Sequence, residues 1–376
     1  MKFLRLAFYV LIAQLVLSGC AGEGVEETSS SSSSEITFDA YVGRNASTRL
    51  GINDLDSLQS NNRWNSGFGV FARYNNIHLM DDEHVFWQGD HWGYEHTRYW
   101  PSEGSVDFYA FAPWVPDRIL EKNPAPGSNE PGSNEPLTYL DFPSTLSPVD
   151  LLWAKAENQT KDNISSTNGK VKFQFKHATA RLGLDITANK ELEKNGAVIT
   201  VEEVNLFGHG KDDYVGVFDM EGFLNLNKGE WYVVPNKDTR WYYAWTPTGK
   251  VGKDDDEKYD PSKGTVLKLS ASQLDDTNNI ITNDKDSYIF IVPQTKNEPF
   301  YLKITYTVRQ GDFEEKVTVR KNLLDVLQPG VSNPSFTFVG GKAYTFHLKL
   351  LDPINFDVKT TVGDWNGNVV NDEITI

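Results

Sequence analysis

The stretch VKFQFKHATARLGLDI, residues 171–186, decides the fold because it contains two strand patterns of opposite phase. Its apolar side chains lie at odd positions from Val171 to Phe175 and at even positions from Ala178 to Ile186. A period of two predicts β-strands that each have an apolar face. Since a shift of one residue turns every side chain to the other face, the change at Lys176 and His177 predicts a β-bulge or a passage between two sheets.

The same period recurs on both sides of this stretch, in residues 36–42, 106–112, 300–309 and 344–350. Such runs need one face on a core and one face in water, which antiparallel sandwiches supply. No window of twelve residues has a helical stripe of apolar side chains, so no long helix is predicted. Residues 150–156 could form a single helical turn. The sequence therefore predicts an all-β protein.

The beginning of the chain has the features of a lipoprotein leader. Lys2 and Arg5 precede an apolar run, and Leu-Ser-Gly at residues 17–19 stands before Cys20. We expect residues 1–19 to be removed as a signal peptide and the Cys20 thiol to be acylated. Two or three acyl chains, at roughly 0.8 kcal/mol per buried methylene, anchor a protein stably to a bilayer. One alternative is an ordinary secretory signal. The other is a membrane-spanning helix, but a run of about 12 apolar residues is too short to cross a bilayer.

Composition divides the rest of the chain into a tether and two domains. Residues 20–34 are dominated by glutamates and a run of serines, whose side chains are not apolar, which predicts a flexible tether. A duplicated turn sequence, PGSNE, fills residues 126–135 and predicts an exposed loop. The polar stretch 157–170 separates two strand-rich halves, so we expect an N-terminal sandwich at 35–168 and a C-terminal sandwich at 169–376.

Charge and cysteine content exclude several classes of function. The chain has 36 basic and 52 acidic residues, and removal of the leader leaves 34 and 52, a net charge of about −18. Nucleic acid is excluded as a partner because phosphate binding needs a basic face. Cys20 is the only cysteine, so the acylated chain has neither disulfides nor thiolate metal sites. The acidic run at 253–258 is interpreted as a solvated loop.

No catalytic or cofactor motif is present in the sequence, and we expect neither an enzyme nor a cofactor. Four histidines among acids, at His78, His84, His91 and His96, could hold zinc, but their spacing matches no known ligand pattern. We therefore expect no metal, and we interpret His177 as a hydrogen-bonded structural side chain. Sequence alone does not exclude a hydrolase with carboxylates clustered in a cleft.

Tryptophan is concentrated in the first predicted domain. Five of the ten tryptophans lie within about 50 residues, at Trp64, Trp87, Trp92, Trp100 and Trp114. Trp side chains fill sandwich cores but also form platforms on which sugars stack. Core packing is the preferred interpretation, and glycan binding stays open.

Several segments together resemble the fimbrillin family, the Mfa-like fimbrial lipoproteins of Bacteroidales. The resemblance lies in the leader and tether and in a shared order of short segments over nearly the whole mature chain. These segments are residues 36–40, 48–49, 67–72, 99–101, 106–110, 150–154, 175–182, 291–294 and 341–346, with Trp365 near the end.

The resemblance implies two tandem transthyretin-like β-sandwiches of Greek-key type and a role in fimbrial assembly and adhesion. In this family an Arg-directed protease removes the first strand, and a strand from the next subunit fills the groove. Arg49 matches the family's Thr-Arg position and is the candidate cleavage site, with Arg44 as its rival. The candidate donor strand is the carboxy-terminal stretch with Val370, Ile374 and Ile376, although Asp372 interrupts its apolar stripe.

The expected partners are other fimbrial subunits, the outer membrane through the Cys20 lipid, and a host or bacterial surface glycan or protein. The alternative function is a cell-surface glycan-binding lipoprotein that does not polymerise and uses the first-domain tryptophans.

Overall fold

The computed structural model describes residues 34–42, 55–59, 67–114, 135–141, 150–188, 198–208, 218–219, 221–234, 243–246, 265–268, 289–352, 355–364 and 372–374. The leader, Cys20, the duplicated turn before Glu135 and the acidic run 253–258 lie outside these residues. Within the described ranges, neither α-helix has the length and apolar character needed to cross a bilayer.

Strands dominate the described residues, and the all-β class is confirmed. The strands of the first half are β1 (Phe38–Val42), β2 (Phe68–Tyr74), β3 (Ile77–Trp87), β4 (Trp92–Gly93), β5 (Val106–Ala112), β6 (Leu137–Asp141), β7 (Leu152–Gln159) and β8 (Val171–His177). Those of the second half are β9 (Ala180–Ala188), β10 (Val198–Gly208), β11 (Glu221–Asn225), β12 (Glu230–Val234), β13 (Tyr243–Thr246), β14 (Thr265–Lys268), β15 (Ile289–Ile291), β16 (Gln294–Lys296), β17 (Phe300–Gln310), β18 (Phe313–Asn322), β19 (Phe336–Phe338), β20 (Lys342–Asp352), β21 (Asn355–Asp364) and β22 (Asp372–Ile374).

Among the described residues, helical structure is limited to short segments that the strand patterns did not predict. These are α1 (Leu55–Gln59), α2 (Leu323–Leu327) and a 3-10 turn at Asn163–Thr167. The side chain of Asn322 caps α2 by accepting a hydrogen bond from the Leu324 N–H at 3.2 Å. The helical turn expected at residues 150–156 is wrong, because β7 occupies most of that stretch and pairs with β5. The apolar pattern of this stretch was too short to distinguish a helical turn from a strand, and pairing with β5 makes it a strand.

Seven strands of the first half close into a ring, in the order β1, β4, β3, β2, β5, β7, β8. In the second half, β14, β13, β10, β17 and β18 form one five-stranded sheet, and β15, β9, β20, β21 and β22 form another. Smaller sheets join β12 to β11 and β6, and β16 to β19. The grouping into two tandem transthyretin-like Greek-key sandwiches stays a prediction.

The change of phase near His177 is a passage between sheets. Strand β8 belongs to the ring, whereas β9 pairs with β15 and β20 in the second half. The side chains of Val171, Phe173 and Phe175 accordingly enter one hydrophobic core, and those of Ala178, Ala180 and Leu182 enter another. The hydrophobic core and the strand partners both change between β8 and β9. Strand β6 of the first half nevertheless pairs with β11 of the second half, so the two halves share a sheet. The domain boundary expected near Asn168 stays a prediction.

Strands β2 and β5 have buried side chains on both faces. In β5 the side chains of Val106, Phe108, Ala110 and Ala112 lie in the ring core, as the alternation predicts. The intervening Tyr109 and Phe111 are also buried, and they belong to the second core with Phe71 of β2. The expectation that this strand has one face in water is therefore wrong, because the second half covers that face.

His177 is buried where the chain leaves the ring, as its structural interpretation predicts. Its Nδ1 lies 2.8 Å from Oδ1 of Asp150, which is also buried and directly precedes the segment leading into β7. The N–H of Ala178 donates to the Leu151 carbonyl at 2.7 Å and joins the same two segments. Oδ2 of Asp150 has no hydrogen-bond partner among the described residues, so this carboxylate depends on His177.

We expect Asp150→Ala to lower the free energy of unfolding by about 1–3 kcal/mol, because it leaves a buried imidazole nitrogen unsatisfied. The measurement is urea unfolding followed by tryptophan fluorescence. Asp162→Ala is the matched control, since Asp162 is exposed and its side chain makes no capping hydrogen bond. The control should change stability by less than about 0.5 kcal/mol. Equal stability of the two variants would contradict the structural role of this pair.

Candidate functional site

Strand β1 closes the ring, and its two edges are held very unequally. Along one edge it pairs in parallel with β8 over five residues, from Phe38 opposite Val171 to Val42 opposite Phe175. Along the other edge its only described partner in β4 is Trp92, opposite Phe38. β1 is also the first described strand of the chain. β1 closes the ring, and it can therefore leave the ring without displacing any other described strand.

The side chains of β1 and of Ile36 before it enter the ring core at every second position. Ile36, Phe38, Ala40 and Val42 are all buried, as the alternation predicts. Tyr41 on the opposite face is 41% exposed. Full burial of an Ile, Phe or Val side chain contributes about 1.5–3 kcal/mol. The segment is thus held mainly by apolar side chains inserted into a row of slots.

Phe38 is the central contact of this row. Its ring stacks on that of Phe173 in β8, with centroids 5.7 Å apart and planes inclined by 18°. The rings of Phe68 and Phe108 approach it edge-on at centroid distances of 6.4 and 5.9 Å. Tyr94 packs against it at 5.6 Å. Each such aromatic pair contributes about 0.5–1.5 kcal/mol beyond area burial, so the slot for Phe38 is the most specific one in the row.

The backbone of Ile36 is anchored by the loop that follows β4. Its N–H donates to the Arg98 carbonyl at 2.8 Å, and its carbonyl accepts from the Tyr94 hydroxyl at 2.7 Å. The Arg98 guanidinium, through Nε, donates in turn to the Leu79 carbonyl at 2.9 Å. Burial raises the pKa of Tyr94 to about 12, which keeps the hydroxyl protonated as a donor. This loop therefore anchors the chain just before β1, at Ile36.

Removal of β1 would leave two kinds of unsatisfied surface. The backbone groups that β8 directs toward β1 would lose their partners, including the Val171 N–H, which donates to the Thr37 carbonyl at 2.8 Å. The aromatic walls around Phe38 would face an empty apolar slot. A strand with apolar side chains at alternate positions would satisfy both, which is the chemistry of β-augmentation.

Most of the predicted processing and donor residues lie outside the described residues. These are Cys20, Arg44, Arg49, Val370 and Ile376. Ile374 lies in β22, which pairs antiparallel with β21 through three residues, with Ile374 opposite Thr360. Part of the candidate donor stretch therefore rests on the edge of its own sheet.

The histidine and acid segment does not assemble into one site among the described residues. His78 pairs with Asp81 at 3.3 Å, and His96 pairs with Glu83 at 3.1 Å. His84 stacks on the Trp114 indole with ring centroids 3.8 Å apart. No group of three or more metal-ligating side chains occurs within the described ranges. These histidines are thus used in separate local contacts.

The first-domain tryptophans are divided between packing and partial exposure. Trp92 and Trp100 are buried in the ring core, as the packing interpretation predicts, and Trp87 packs against that core. Trp114 packs on the second core and donates through Nε1 to Asp82 at 3.1 Å. Trp64 lies outside the described residues. The described members form no continuous sugar-stacking surface.

A groove of about 830 Å³ lies where β7 and β8 meet the second half. Trp153 and Trp231 line it, and the Lys176 ammonium lies 5.7 Å from the Trp153 ring centroid. The Trp231 indole N–H donates to the Ala178 carbonyl at 2.8 Å. The Ala178 carbonyl therefore holds Trp231 in the groove wall, and Trp153 lies against Lys176.

Tyr94 and Arg98 are site residues that sequence reasoning missed. Both lie in an irregular loop without period, and their contacts with Ile36 span about 60 residues of chain. An aromatic residue four positions before an arginine was the only available signal, and it is too common to identify an anchor.

We expect Phe38→Ala to lower the free energy of unfolding by about 3–5 kcal/mol, because it empties the slot between four aromatic rings. Tyr41→Ala in the same strand is the control and should cost much less, since that side chain faces solvent. Denaturant unfolding of both variants measures the difference. Similar losses would show that β1 is not held by its buried face.

The Tyr94 hydroxyl should make stability fall at alkaline pH. Its pKa in the folded chain, about 12, lies above the ordinary value of 10.0, so the protonated form stabilises the fold below pH 10. That contribution is lost as the pH rises from 10 to 12. Tyr94→Phe should lose about 0.5–1.5 kcal/mol at pH 8 and show a shallower decline above pH 10. Thermal unfolding across this pH range measures both effects, and an unchanged decline would contradict the assignment.

The chain is similar to known fimbrial proteins. A family model described as fimbrillin-like matches residues 58–365. The fimbrium subunit Fim1C of Phocaeicola vulgatus is 22% identical, with 96% of this chain and 97% of that protein covered. A crystal structure of a fimbrial protein from Bacteroides vulgatus has a TM-score of 0.55 at 18% identity, covering 88% of this chain and 99% of that one.

A putative cell adhesion protein from Bacteroides uniformis is similar over 88% of this chain and 98% of its own, with a TM-score of 0.47 and 15% identity. The likeness to the Bacteroides vulgatus structure supports the fold, and the family model covers most of the sequence. The chain therefore belongs to the fimbrillin-like family of fimbrial subunits.

Proposed function

We propose that this chain is a structural and adhesive subunit of cell-surface fimbriae that joins its neighbours by exchange of strand β1. The observation that carries the proposal is the position of β1: the first described strand, buried along one face, paired fully with β8 but with β4 only at Phe38. A strand in that position can be replaced without rearranging the remaining ring. Membership of the fimbrillin-like family supports the same role.

Delivery begins with the leader. Signal peptidase removes residues 1–19, and acylated Cys20 carries the chain to the outer membrane. Arg44 and Arg49 both follow β1 in sequence, so cleavage after either separates β1 from the rest of the chain. Arg49 is our candidate and Arg44 its rival. Release of β1 then also requires the loss of the Ile36 contacts with Tyr94 and Arg98.

The incoming strand is the carboxy-terminal stretch of a second subunit. Val370, Ile374 and Ile376 fall on a two-residue period like that of the buried side chains of β1, but Asp372 occupies the position between Val370 and Ile374. Its segment β22 is held to β21 by three residue pairs, fewer than the five that hold β1 to β8. Leaving its own sheet therefore costs fewer backbone hydrogen bonds than the new pairing can form. Asp372 is the residue least suited to the slot, because a carboxylate there needs a polar partner.

Limited proteolysis tests this proposal. The purified chain from Ala21 onward, incubated with an Arg-specific protease, should lose its residues up to Arg49 and then form assemblies of high mass. Arg49→Ala should block the cut and keep the chain monomeric, whereas the matched Arg44→Ala should behave as wild type. Intact-mass spectrometry and size-exclusion chromatography with light scattering measure the two steps.

Two outcomes would contradict strand exchange. One is a trimmed chain that remains monomeric, and the other is assembly by the double variant Arg44→Ala, Arg49→Ala without any cut. Ile374→Asp separates the steps, because it should permit trimming but prevent assembly. A glycan-binding protein would instead stay monomeric after trimming and keep its sugar affinity.

A further inference from the structure

Strand β18 is an open edge of the described part of the second half. It ends the five-stranded sheet and pairs only with β17 among the described strands. Its ten residues are long for an edge, and most of them are exposed, from Phe313 to Lys316 and at Thr318 and Arg320. An edge of this length offers backbone N–H and C=O groups for pairing with another strand.

The charges along β18 are separated by sign. Glu314 and Glu315 lie at its beginning, and Arg320 and Lys321 lie near its end. Neither glutamate forms an ion pair with any residue that the structure describes. Lys316, in the middle, forms an ion pair with Glu202 of β10 on the same sheet. Charges usually protect an edge from pairing, but charges separated in this way are complementary to a reversed copy of themselves.

We propose that β18 is a lateral contact between two copies of this chain, formed by antiparallel pairing of the two β18 edges about a twofold axis at Val317. The partner is a second copy because the sequence of the edge complements itself. This surface is separate from the β1 slot, and the contact forms in the intact chain.

The hydrogen-bond pattern of an edge limits the possible registers. In a strand already paired on one side, only alternate residues direct their N–H and C=O groups outward. Two identical edges therefore place residues of equal parity opposite one another, and the twofold axis passes through a residue. With the axis at Val317, Glu314 faces Arg320 of the other copy, and symmetry produces that pair twice.

Charge disfavours the neighbouring register. An axis at Thr318 has the same overlap of nine residues and places Glu315 opposite Lys321 twice, but it also places Lys316 opposite Arg320 twice, so its like-charge pairs offset its opposite-charge pairs. Like charges directly opposite are destabilising. In the Val317 register Lys316 faces Thr318, and Glu315 lies diagonal to Lys321 of the other copy. The Arg320 side chain is positioned by the Tyr301 ring, whose centroid lies 5.3 Å from the guanidinium carbon.

A contact of one strand pair is small, so we expect weak and concentration-dependent dimers. Where subunits are joined into filaments as proposed above, the same contact would repeat along two neighbouring filaments. This repetition would strengthen the association of the two filaments.

Charge reversal tests the register directly. We expect the uncut chain from Ala21 onward to dimerise in sedimentation-equilibrium experiments. Glu314→Arg and Arg320→Glu should each weaken dimerisation at least tenfold, because each replaces two opposite-charge pairs by two like-charge pairs. A mixture of the two variants should form heterodimers, because residue 314 of each chain then faces a residue 320 of opposite charge in the other chain. The double variant in one chain should also dimerise.

Asp162→Arg is the control for net charge, since it makes the same change of charge as Glu314→Arg at an exposed site outside β18. It should dimerise as wild type does, and circular dichroism should show that every variant is folded. A wild-type chain that stays monomeric at millimolar concentration would overturn the proposal. So would a mixture of variants no more dimeric than either alone. These results would leave strand exchange untouched, because β1 stays in place throughout.

Discussion

The parallel seam between β1 and β8 is the interaction on which the first half of the structure depends. Its pairing closes the ring, and its side chains fill the centre of the core around Phe38. The Phe38 ring contacts aromatic side chains from β2, β5 and β8, so three separate strands lose packing if it leaves. A closed ring has no free edge, and closure here rests on one short segment at the beginning of the chain.

The two halves are joined by more than a covalent connection. The layer of β2, β5 and β7 contributes one face to each core, which makes it a common wall. The His177 and Asp150 pair lies at the point where the chain leaves this layer for the second half. Such a wall is rigid because both faces are packed, and it keeps the rest of the ring in place if β1 is withdrawn.

The open edges of the structure contrast with its closed ring. Strand β18 has no described neighbour beyond β17, and β22 is held through only three residue pairs. Our proposals assign both to contacts between chains, one through its own backbone and the other by leaving its sheet. A subunit that assembles needs such edges, whereas a monomeric protein protects them.

The sequence by itself determined six of the strands, β1, β5, β8, β9, β17 and β20, and one buried face of each, because a period of two is a local property that any sheet must satisfy. The alternation at Phe38, Phe108 and Tyr306 predicted burial that the structure has, and the change of phase near His177 located the passage between sheets. Only the tertiary structure decided which strands are neighbours. The parallel pairing of β1 with β8 joins residues more than 130 positions apart, and no local pattern encodes such a partner. The second buried face of β5 was missed for the same reason, since a strand's own sequence does not show whether another core covers it.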